Sequence, residues 1–234
     1  MQVLTTLQRH IVHCTQCPRL VEYRTRVARE KRRQYRECDY WGKPLPSFGD
    51  PQARLLIIGL APAAHGGNRT GRMFTGDQSG DWVYRTLHRF GFANQSASQH
   101  RDDGLSLHDA YITAAARCVP PDNKPSGAEL AACRPYLRRE LQLLHRVRVV
   151  VPLGKIAFEA YFAARRELAL PLPDERPHFA HAAITPLSDG VLLVASYHPS
   201  RQNTQTGRLT QVMFDAVFAR VRHELDASDS LSGH

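Results

Sequence analysis

Hydrophobic and polar positions divide this chain into alternating strand-like and helix-like segments. Four short and mostly apolar runs, at residues 54–60, 111–116, 147–151 and 191–196, have the length of strands. Runs of this kind are typical of strands that are covered on both faces of a sheet. Helices are predicted between and after them, at residues 81–90, 126–144, 154–166 and 209–225. The alternation predicts an α/β fold, with helices on both faces of a largely parallel sheet.

The two ends of the chain differ from this alternating part. Residues 1–40 read as helical with an interruption near Pro18, and the Gly- and Pro-rich residues 41–51 read as a loop. Within the chain, Ser126-Gly-Ala-Glu129 has the form of a capping box that opens the helix over 126–144. The residues after Ala227 are rich in Ser, Asp and Gly, which predicts disorder. We expect one domain over residues 1–226 and a disordered tail over 227–234.

Composition and the N-terminal sequence indicate a cellular compartment. Apolar residues make up 42% of the 234 residues, and no apolar run reaches the length of a membrane span. The N-terminus lacks a charged-then-apolar signal pattern with a small-residue cleavage site. We therefore expect a soluble intracellular protein with reduced thiols.

The net charge of +9 indicates an acidic partner. Basic residues crowd between positions 24 and 36, where Arg29, Lys31, Arg32, Arg33 and Arg36 occur. Arginine suits bidentate contacts with phosphate, and a basic face is typical of nucleic-acid binding. A solvated arginine-rich surface remains the alternative.

Four of the five cysteines follow a ligand-like pattern, with Cys14 and Cys17 as a close pair and Cys118 and Cys133 as later singles. Four thiolates are what an iron–sulfur cluster or a tetrahedral zinc ion requires. Disulfides or inert buried thiols are the alternatives, and the pattern favours a metal centre. Cys38 has no partner at a ligand spacing and is expected to be a lone thiol.

Three polar loops follow predicted strands, where α/β folds bind ligands. The first runs from Gly59 to Asp77 and lacks the phosphate-loop and GxGxxG fingerprints, so Phe74 suggests a flat ligand stacked on it. Asp77 either works beside that ligand or caps the next helix. The second loop carries Asn123, which either reads a planar polar edge or is a turn residue.

The third loop begins after the last predicted strand. His198 is followed by Pro199, which would aim the imidazole rigidly. The polar run that follows, including Ser200, Arg201 and Asn203, is suited to holding phosphates.

Taken together, these motifs resemble family 5 (type b) uracil-DNA glycosylases. The resemblance rests on Gly59-Leu-Ala-Pro-Ala63, Phe74-Thr-Gly-Asp77, Cys118-Val-Pro-Pro-Asp-Asn123-Lys-Pro and His198-Pro-Ser200, together with the four cysteines. It covers the chain from about Cys14 to the final helix. It implies a three-layer α/β/α fold with a central four-stranded parallel sheet, which agrees with the four apolar runs. It also implies a [4Fe–4S] cluster on Cys14, Cys17, Cys118 and Cys133.

The resemblance further implies hydrolysis of the N-glycosidic bond of uracil and other damaged bases after the nucleotide is flipped out of the helix. By this resemblance Phe74 stacks on the base, and backbone from Gly59 through Ala61 to Ala63 lines one edge. Asn123 would bind the polar edge of the base, and His198 would donate to its carbonyl oxygen. Ser200 and Arg201 would hold a phosphate, and residues 202–209, including Asn203, would enter the vacated space.

Water activation and specificity depart from related families. Where those families carry Asp, Asn or Glu in the first motif, this chain has Leu60 and Ala61, so Asp77 is the predicted catalytic carboxylate. Unaided water remains an alternative to it. Ala63 and Ala64 replace the bulky aromatic of strictly uracil-specific relatives, which predicts that 5-substituted uracils and deaminated purines also fit.

The expected partners are double-stranded and single-stranded DNA, with no membrane association. We expect a monomer in the cytoplasm, at the nucleoid of a prokaryote. Two other functions remain open. One is a non-catalytic metal-containing nucleic-acid-binding protein, and the other is a uracil-specific enzyme of family 4, which Leu60-Ala61 disfavours.

Overall fold

A mixed sheet of six strands forms the centre of the computed structural model, which describes residues 2–175 and 177–232. The strands are β1 (Phe48–Gly49), β2 (Leu55–Gly59), β3 (Ala110–Ala114), β4 (Val149–Pro152), β5 (Ile184–Pro186) and β6 (Leu192–Val194). Their order across the sheet is β1-β3-β2-β4-β6-β5. Strands β3, β2, β4 and β6 pair in parallel. They coincide with the four apolar runs, so the predicted central parallel sheet is confirmed.

The two edge strands were not predicted. Strand β1 pairs antiparallel with β3, and β5 pairs antiparallel with β6. The first has only two residues and lies in the Gly- and Pro-rich segment that reads as a loop. The second includes two exposed residues, Ile184 and Pro186, so it lacks the apolar run of a buried strand. Very short edge strands also limit pairing with other chains.

Eight helices occur among the described residues, and they cover both faces of the sheet. Their bounds are α1 (Gln2–Val12), α2 (Pro18–Glu30), α3 (Gly67–Thr70), α4 (Gln78–Arg89), α5 (Gly127–Leu143), α6 (Lys155–Glu167), α7 (Arg201–Gln205) and α8 (Gln211–Ser232). Two further single turns, Arg33–Tyr35 and Pro121–Asn123, are 3-10 helices. The short helices α3 and α7 lie inside the first and third predicted loops.

Two hydrophobic cores lie on opposite faces of the sheet because successive strand side chains alternate between faces. In β2, Leu55 and Ile57 belong to the core that includes helices α4 and α8. Leu56 and Ile58 belong to the core that includes helices α5 and α6. All four side chains are fully buried. This arrangement is the three-layer α/β/α fold that the sequence predicts.

The N-terminal helices are separated by residues 13–17 rather than broken at Pro18. Pro18 is the first residue of α2, where the missing amide hydrogen costs nothing because that position has no helical acceptor. The non-helical segment between α1 and α2 therefore contains Cys14 and Cys17. The prediction of helical structure over residues 1–40 is right in kind and misplaces the interruption by a few positions.

The predicted start of α5 is confirmed. The Ser126 side chain accepts a hydrogen bond from the Glu129 amide at 3.2 Å, and the Glu129 carboxylate accepts one from the Ser126 amide at 2.7 Å. These reciprocal bonds satisfy two amides that the first turn leaves without helical partners. Cys133 lies in the second turn of this helix.

The C-terminal helix is longer than the sequence predicts. Helix α8 extends through Ser232, whereas the pattern predicts an end near Leu225 and disorder from residue 227. Residues 227–232 contain neither Gly nor Pro, so nothing in them stops a helix. Residues 233–234 of the predicted tail lie outside the described part of the chain. Within residues 2–175 and 177–232, no helix combines the length and apolar character needed to cross a membrane.

Candidate active site and cysteine cavity

A small pocket opens at the carboxyl ends of the parallel strands. Its lining consists of Gly59, Ala61, Pro62, Ala63, Met73, Phe74, Asp77, Ser79, Ala114 and His198. Six of these residues, all but Pro62, Met73, Ser79 and Ala114, were selected from the sequence. They come from the first and third polar loops, which the parallel strands bring to one edge of the sheet.

Phe74 forms a flat wall of this pocket. Its ring lies against Gly59, where an added Cβ would be 2.9 Å from the ring. The ring centroid is 6.0 Å from that of His198, with 32° between the two planes. Phe74 also has a φ of 51°, a left-handed conformation that costs a bulky residue about 1–3 kcal/mol. The surrounding fold therefore holds this ring in place at some energetic cost.

His198 is fixed through its backbone. Its carbonyl oxygen accepts hydrogen bonds from the Asn203 side-chain amide at 2.8 Å and from the Ser200 amide at 2.7 Å. The Ser200 hydroxyl in turn accepts from the Asn203 amide at 3.3 Å and caps helix α7. These hydrogen bonds fix the turn after Pro199, and the His198 imidazole lines the pocket.

Burial in the pocket lowers the pKa of His198 to about 4. The residue as a whole is half-buried, and desolvation of its ring is the cause of this shift. The imidazole is therefore neutral at pH 7. A neutral imidazole still carries one N–H group, so it can donate a hydrogen bond without bringing a positive charge into the pocket.

Asp77 caps helix α4, which is one of the two roles that the sequence left open for it. It is the N-cap of α4, and its Oδ1 accepts a hydrogen bond from the Gly80 amide at 3.0 Å. The other oxygen packs on Gly66, where an added Cβ would lie 1.9 Å from Oδ2. Burial raises the pKa of Asp77, and the hydrogen bond from Gly80 opposes this rise. The same carboxylate also lines the pocket, so capping does not remove it from the site.

Four residues selected from the sequence lie outside the pocket lining. Asn123 is exposed in the 3-10 turn after Pro120, with a φ of 56°. Ser200 and Asn203 hold the backbone of His198, and Arg201 is exposed in the first turn of α7. Residues 202–209 are not an open loop, because α7 occupies 201–205 and Leu209 is fully buried.

Sequence reasoning missed Met73, Ser79 and Ala114 as lining residues, and it included Pro62 only within the backbone of Gly59 to Ala63. Ala114 had a usable signal, because it lies near the end of a predicted strand. Met73 is held by the buried hydroxyl of Tyr84, which donates to the Met73 carbonyl at 2.7 Å. That contact links residues far apart in the pattern, and no local signal predicts it.

The four cysteines of the ligand-like pattern meet at a second cavity. Cys14 and Cys17 come from the segment between α1 and α2, Cys118 follows β3, and Cys133 lies on α5. Burial raises the pKa of Cys118 to about 12 and that of Cys133 to about 11. The Cys133 sulfur also accepts a hydrogen bond from the Arg117 amide at 3.3 Å. Cys38 lies apart from this cavity, as expected for a lone thiol.

The four thiols differ from a site for a single metal ion. Among the described residues, no three His, Cys, Asp or Glu side chains are close enough to hold a single ion. The four sulfurs nevertheless surround one cavity. Four thiolates are the donor set that a [4Fe–4S] cluster requires, so the residues around this cavity fit such a group.

A buried cation beside the cysteine cavity supports the same fit. Arg24 is 6% exposed, and its Nε and Nη1 atoms have no hydrogen-bond partner among the residues that the structure describes. Its Nη2 donates to the Cys14 carbonyl at 3.3 Å, and its charge opposes the rise in the Cys118 pKa. An uncompensated buried charge is costly. Negatively charged ligands in the adjacent cavity would compensate it.

Comparison with known proteins gives a consistent result. The family model described as the uracil DNA glycosylase superfamily matches residues 46–222. A type-5 uracil-DNA glycosylase of Thermus thermophilus is 52% identical over 89% of this chain and 92% of its own length. In Pyrobaculum aerophilum, the type-5 enzyme is 44% identical over 90% of this chain and 88% of its own length. The type-4 enzyme of the same organism is 27% identical over 84% and 83%. Similarity is thus higher to type 5 than to type 4.

Proposed function

This chain belongs to the uracil DNA glycosylase superfamily, in its type-5 group, and from this membership we propose that it removes uracil from DNA at the pocket beside Phe74. The reaction is hydrolysis of the N-glycosidic bond, which leaves an abasic site for repair. The observation that carries the proposal is the pocket itself. It combines a flat aromatic wall, a neutral imidazole and a carboxylate at the carboxyl edge of a parallel sheet.

Binding of the base follows from the shape of the pocket. A duplex hides the glycosidic bond, so the nucleotide must leave the base stack to reach these side chains. The ring of Phe74 offers a stacking surface for a planar base. Gly59 lets that ring lie close to strand β2, because any side chain at this position would collide with it. The uracil ring is thereby placed next to His198, whose ring centroid is 6.0 Å from that of Phe74.

His198 acts on the leaving base. As the bond between the base nitrogen and C1′ breaks, its electron pair moves into the base and negative charge builds on the carbonyl oxygens. The neutral imidazole donates a hydrogen bond to one of these oxygens, and this bond strengthens as charge develops. The low pKa of His198 keeps the imidazole neutral, and Asn203 holds the backbone that positions it.

Water completes the reaction at C1′. The water oxygen bonds to C1′, and one of its protons is released. Leu60 and Ala61 occupy the first motif and cannot accept that proton, which leaves Asp77 as the carboxylate of the pocket lining. Asp77 orients the water and stabilises positive charge on the sugar. Its raised pKa makes it a better proton acceptor than an exposed aspartate, provided that it is ionised.

The pocket accepts bases other than uracil. Ala63 lines it with a single methyl group, and no aromatic side chain follows at position 64. An aromatic at this place would collide with a substituent on C5 of a pyrimidine. The small residue leaves room for 5-substituted uracils and for deaminated purines, at the cost of steric discrimination.

The cysteine cavity binds a [4Fe–4S] cluster through Cys14, Cys17, Cys118 and Cys133. Two features support this assignment: the four thiols line one cavity, and within the described part of the chain the buried Arg24 has two guanidinium nitrogens without a hydrogen-bond partner. When bound, such a cluster would supply covalent cross-links between these ligands. Its ligands would join the N-terminal segment to the loop after β3 and to helix α5.

A panel of duplexes, each with one lesion, tests the substrate range. We expect single-turnover release of uracil, 5-hydroxymethyluracil, thymine opposite guanine, and hypoxanthine. Activity confined to uracil would disprove the argument from Ala63. Binding to the uracil duplex without any base release would instead indicate a non-catalytic DNA-binding protein.

A further inference from the structure

A second cleft lies on the other side of the loop that forms the base pocket. Its volume is about 530 Å³, and its lining includes Tyr40, Trp41, Lys43, Arg69, His100 and Arg101. Arg69 and Thr70 of the first loop face this cleft, whereas Phe74 and Asp77 of the same loop face the base pocket. The two cavities therefore share one wall, and neither the cleft nor its residues have a place in the reaction described above.

The shared wall is fixed by hydrogen bonds of Arg69. Its Nε donates to the His65 carbonyl at 2.8 Å and its Nη2 to the Gly76 carbonyl at 3.1 Å. The Trp41 amide donates to the Arg69 carbonyl at 2.9 Å. Gly76 directly precedes Asp77, so the guanidinium of Arg69 connects the cleft to the residue next to the pocket carboxylate.

Hydrogen bonds of Arg72 hold another part of the cleft lining, residues 100–102, in place. Arg72 is 4% exposed, and its Nη1 donates to the Arg101 carbonyl at 3.1 Å. Its Nη2 donates to both carboxylate oxygens of Asp103 at 2.8 Å. Residues 98–103 are thereby tied to the loop that carries Thr70. These hydrogen bonds hold the lining in place, so binding there would need little ordering of the chain.

Cations and an aromatic ring face each other inside the cleft. The Lys43 ammonium is 5.5 Å from the centroid of the Trp41 ring, and the Arg101 guanidinium is 5.0 Å from it. The Lys43 side chain is exposed, and that of Arg101 is half exposed. Arg101 Nε donates to the Asp102 carboxylate at 3.4 Å, and Asp39 also lines the cleft, so the two carboxylates partly offset this charge.

Charge beyond the cleft makes its surroundings basic. Residues 31–36 contain Lys31, Arg32, Arg33 and Arg36 and no acidic residue. Two contacts place this segment at the cleft: the Arg69 guanidinium lies 4.1 Å over the Tyr35 ring, and the Arg32 amide donates to the Tyr40 hydroxyl at 3.4 Å. A basic groove with an aromatic platform is the arrangement by which proteins follow a nucleic-acid strand.

We propose that this cleft binds the DNA strand beside the target nucleotide, with a phosphate between Lys43 and Arg101 and a base or sugar against Trp41. The proposal rests on the proposed function, because it is the strand entering the base pocket that continues along the shared wall. The cleft contributes affinity and register, and it takes no part in breaking the glycosidic bond. Through its hydrogen bond to the Gly76 carbonyl, Arg69 connects binding in the cleft to the position of the loop around Asp77.

Charge reversal at Lys43 and Arg101 tests the proposal. The test variant combines Lys43→Glu with Arg101→Glu, which leaves the Arg101 carbonyl and its bond from Arg72 intact. The control combines Arg139→Glu with Arg146→Glu, two exposed residues near the end of α5 and before the amino end of β4. Both variants change the net charge equally, so a general electrostatic effect should be the same in both.

The measurement uses single-stranded oligonucleotides in which the uracil has progressively longer flanks on its 5′ or 3′ side. For the native protein, the half-saturating concentration should fall at least about tenfold as one flank lengthens, as expected for several phosphate and stacking contacts. The test variant should lose this gain and keep the native rate at saturation, while the control variant keeps both. A test variant with the native flank dependence would overturn the proposal, as would a lower saturating rate with that dependence unchanged. Failure of the native protein to release uracil from any of these oligonucleotides would instead refute the proposed function.

Discussion

At the scale of single residues, Asp77 shows how one side chain can meet a structural and a chemical need. Its Oδ1 caps helix α4, and its carboxylate lines the base pocket. The sequence allowed both roles and could not choose between them, because a capping aspartate and a catalytic aspartate occupy the same kind of position at a loop–helix junction. The second oxygen packs on Gly66 of the same loop. The hydrophobic pattern of the sequence does not predict this contact.

Asp77→Asn separates these two roles. Asparagine is about as good an N-cap as aspartate, so the melting temperature should stay near the native value. The single-turnover rate should fall by about 10²-fold or more, because the neutral amide cannot accept a proton. Burial raises the pKa of the native carboxylate, so the native rate should fall toward that of the variant as the pH drops through this raised value.

The contrary results for Asp77 are distinct. An unchanged rate would mean that water needs no carboxylate and that leaving-group stabilisation by His198 suffices. A large loss of stability together with activity would mean that the charge, and not the cap alone, is structural.

Ala63→Tyr tests the steric account of specificity. The phenol ring would occupy the space that the single methyl group leaves in the pocket lining. We expect the rates for 5-substituted uracils to fall more than the rate for uracil, with Ala63→Ser as a control for any change at this position. Equal losses for all substrates would show that position 63 does not select at C5.

At the scale of secondary-structure elements, patterns with strong local causes were predictable and those set by neighbours were not. The four parallel strands are continuous apolar runs, and α5 begins at a complete capping box, so each carries its signal within a few residues. Strands β1 and β5 form only because a neighbouring strand offers an edge. Helices α3 and α7 have four and five residues, too few to show a helical period.

The segment before α2 and the helix itself are central to the cluster assignment. Arg24 lies on α2, seven residues after Cys17, and its buried guanidinium, which donates to the Cys14 carbonyl, lies beside the cysteine cavity. We expect native protein prepared without oxygen to be brown, with about four iron and four sulfide ions per chain. Arg24→Met should lower the iron content and the reduction potential, because a favourable charge near an anionic cluster is lost.

Two results decide the role of Arg24. Arg24→Lys keeps a positive charge and should restore part of the native potential, which a purely structural role would not predict. Equal iron content and equal potential in native and Arg24→Met protein would refute the electrostatic role. Colourless native protein with one zinc per chain would refute the cluster itself.

At the scale of the whole molecule, chain order and the parallel sheet together explain why much of the site could be predicted. Loops after β2 and β6 must meet at one edge of the sheet, so the convergence of Phe74 and His198 follows from topology. Asn123 could not be placed in the same way. Its loop follows β3, but its left-handed turn leaves it exposed. The second cleft depends on hydrogen bonds that join Arg69 and Arg72 to other segments of the chain, and no sequence motif predicts it.

The basic balance of the molecule predicts salt-sensitive binding. Phosphate contacts release counterions from DNA. The logarithm of the affinity for duplex DNA with an uncleavable uracil analogue should therefore fall linearly with the logarithm of the salt concentration. Arg201→Ala, at the exposed start of α7, should reduce the slope by about 0.9, the value for one phosphate contact. Arg139→Ala, on α5, serves as the control and should leave the slope unchanged. Affinity that is indifferent to salt would contradict a nucleic-acid role for the net charge of +9.

The central claim is that the pocket of Phe74 and His198 releases uracil from DNA, and the direct measurement is single-turnover formation of free uracil. Native protein should release one uracil per duplex and leave an unbroken strand with an abasic site. His198→Ala should retain DNA affinity and slow release by about 10²–10³-fold, the cost of removing one donor to a developing negative charge. No uracil release by native protein, or equal rates for the two proteins, would contradict the account.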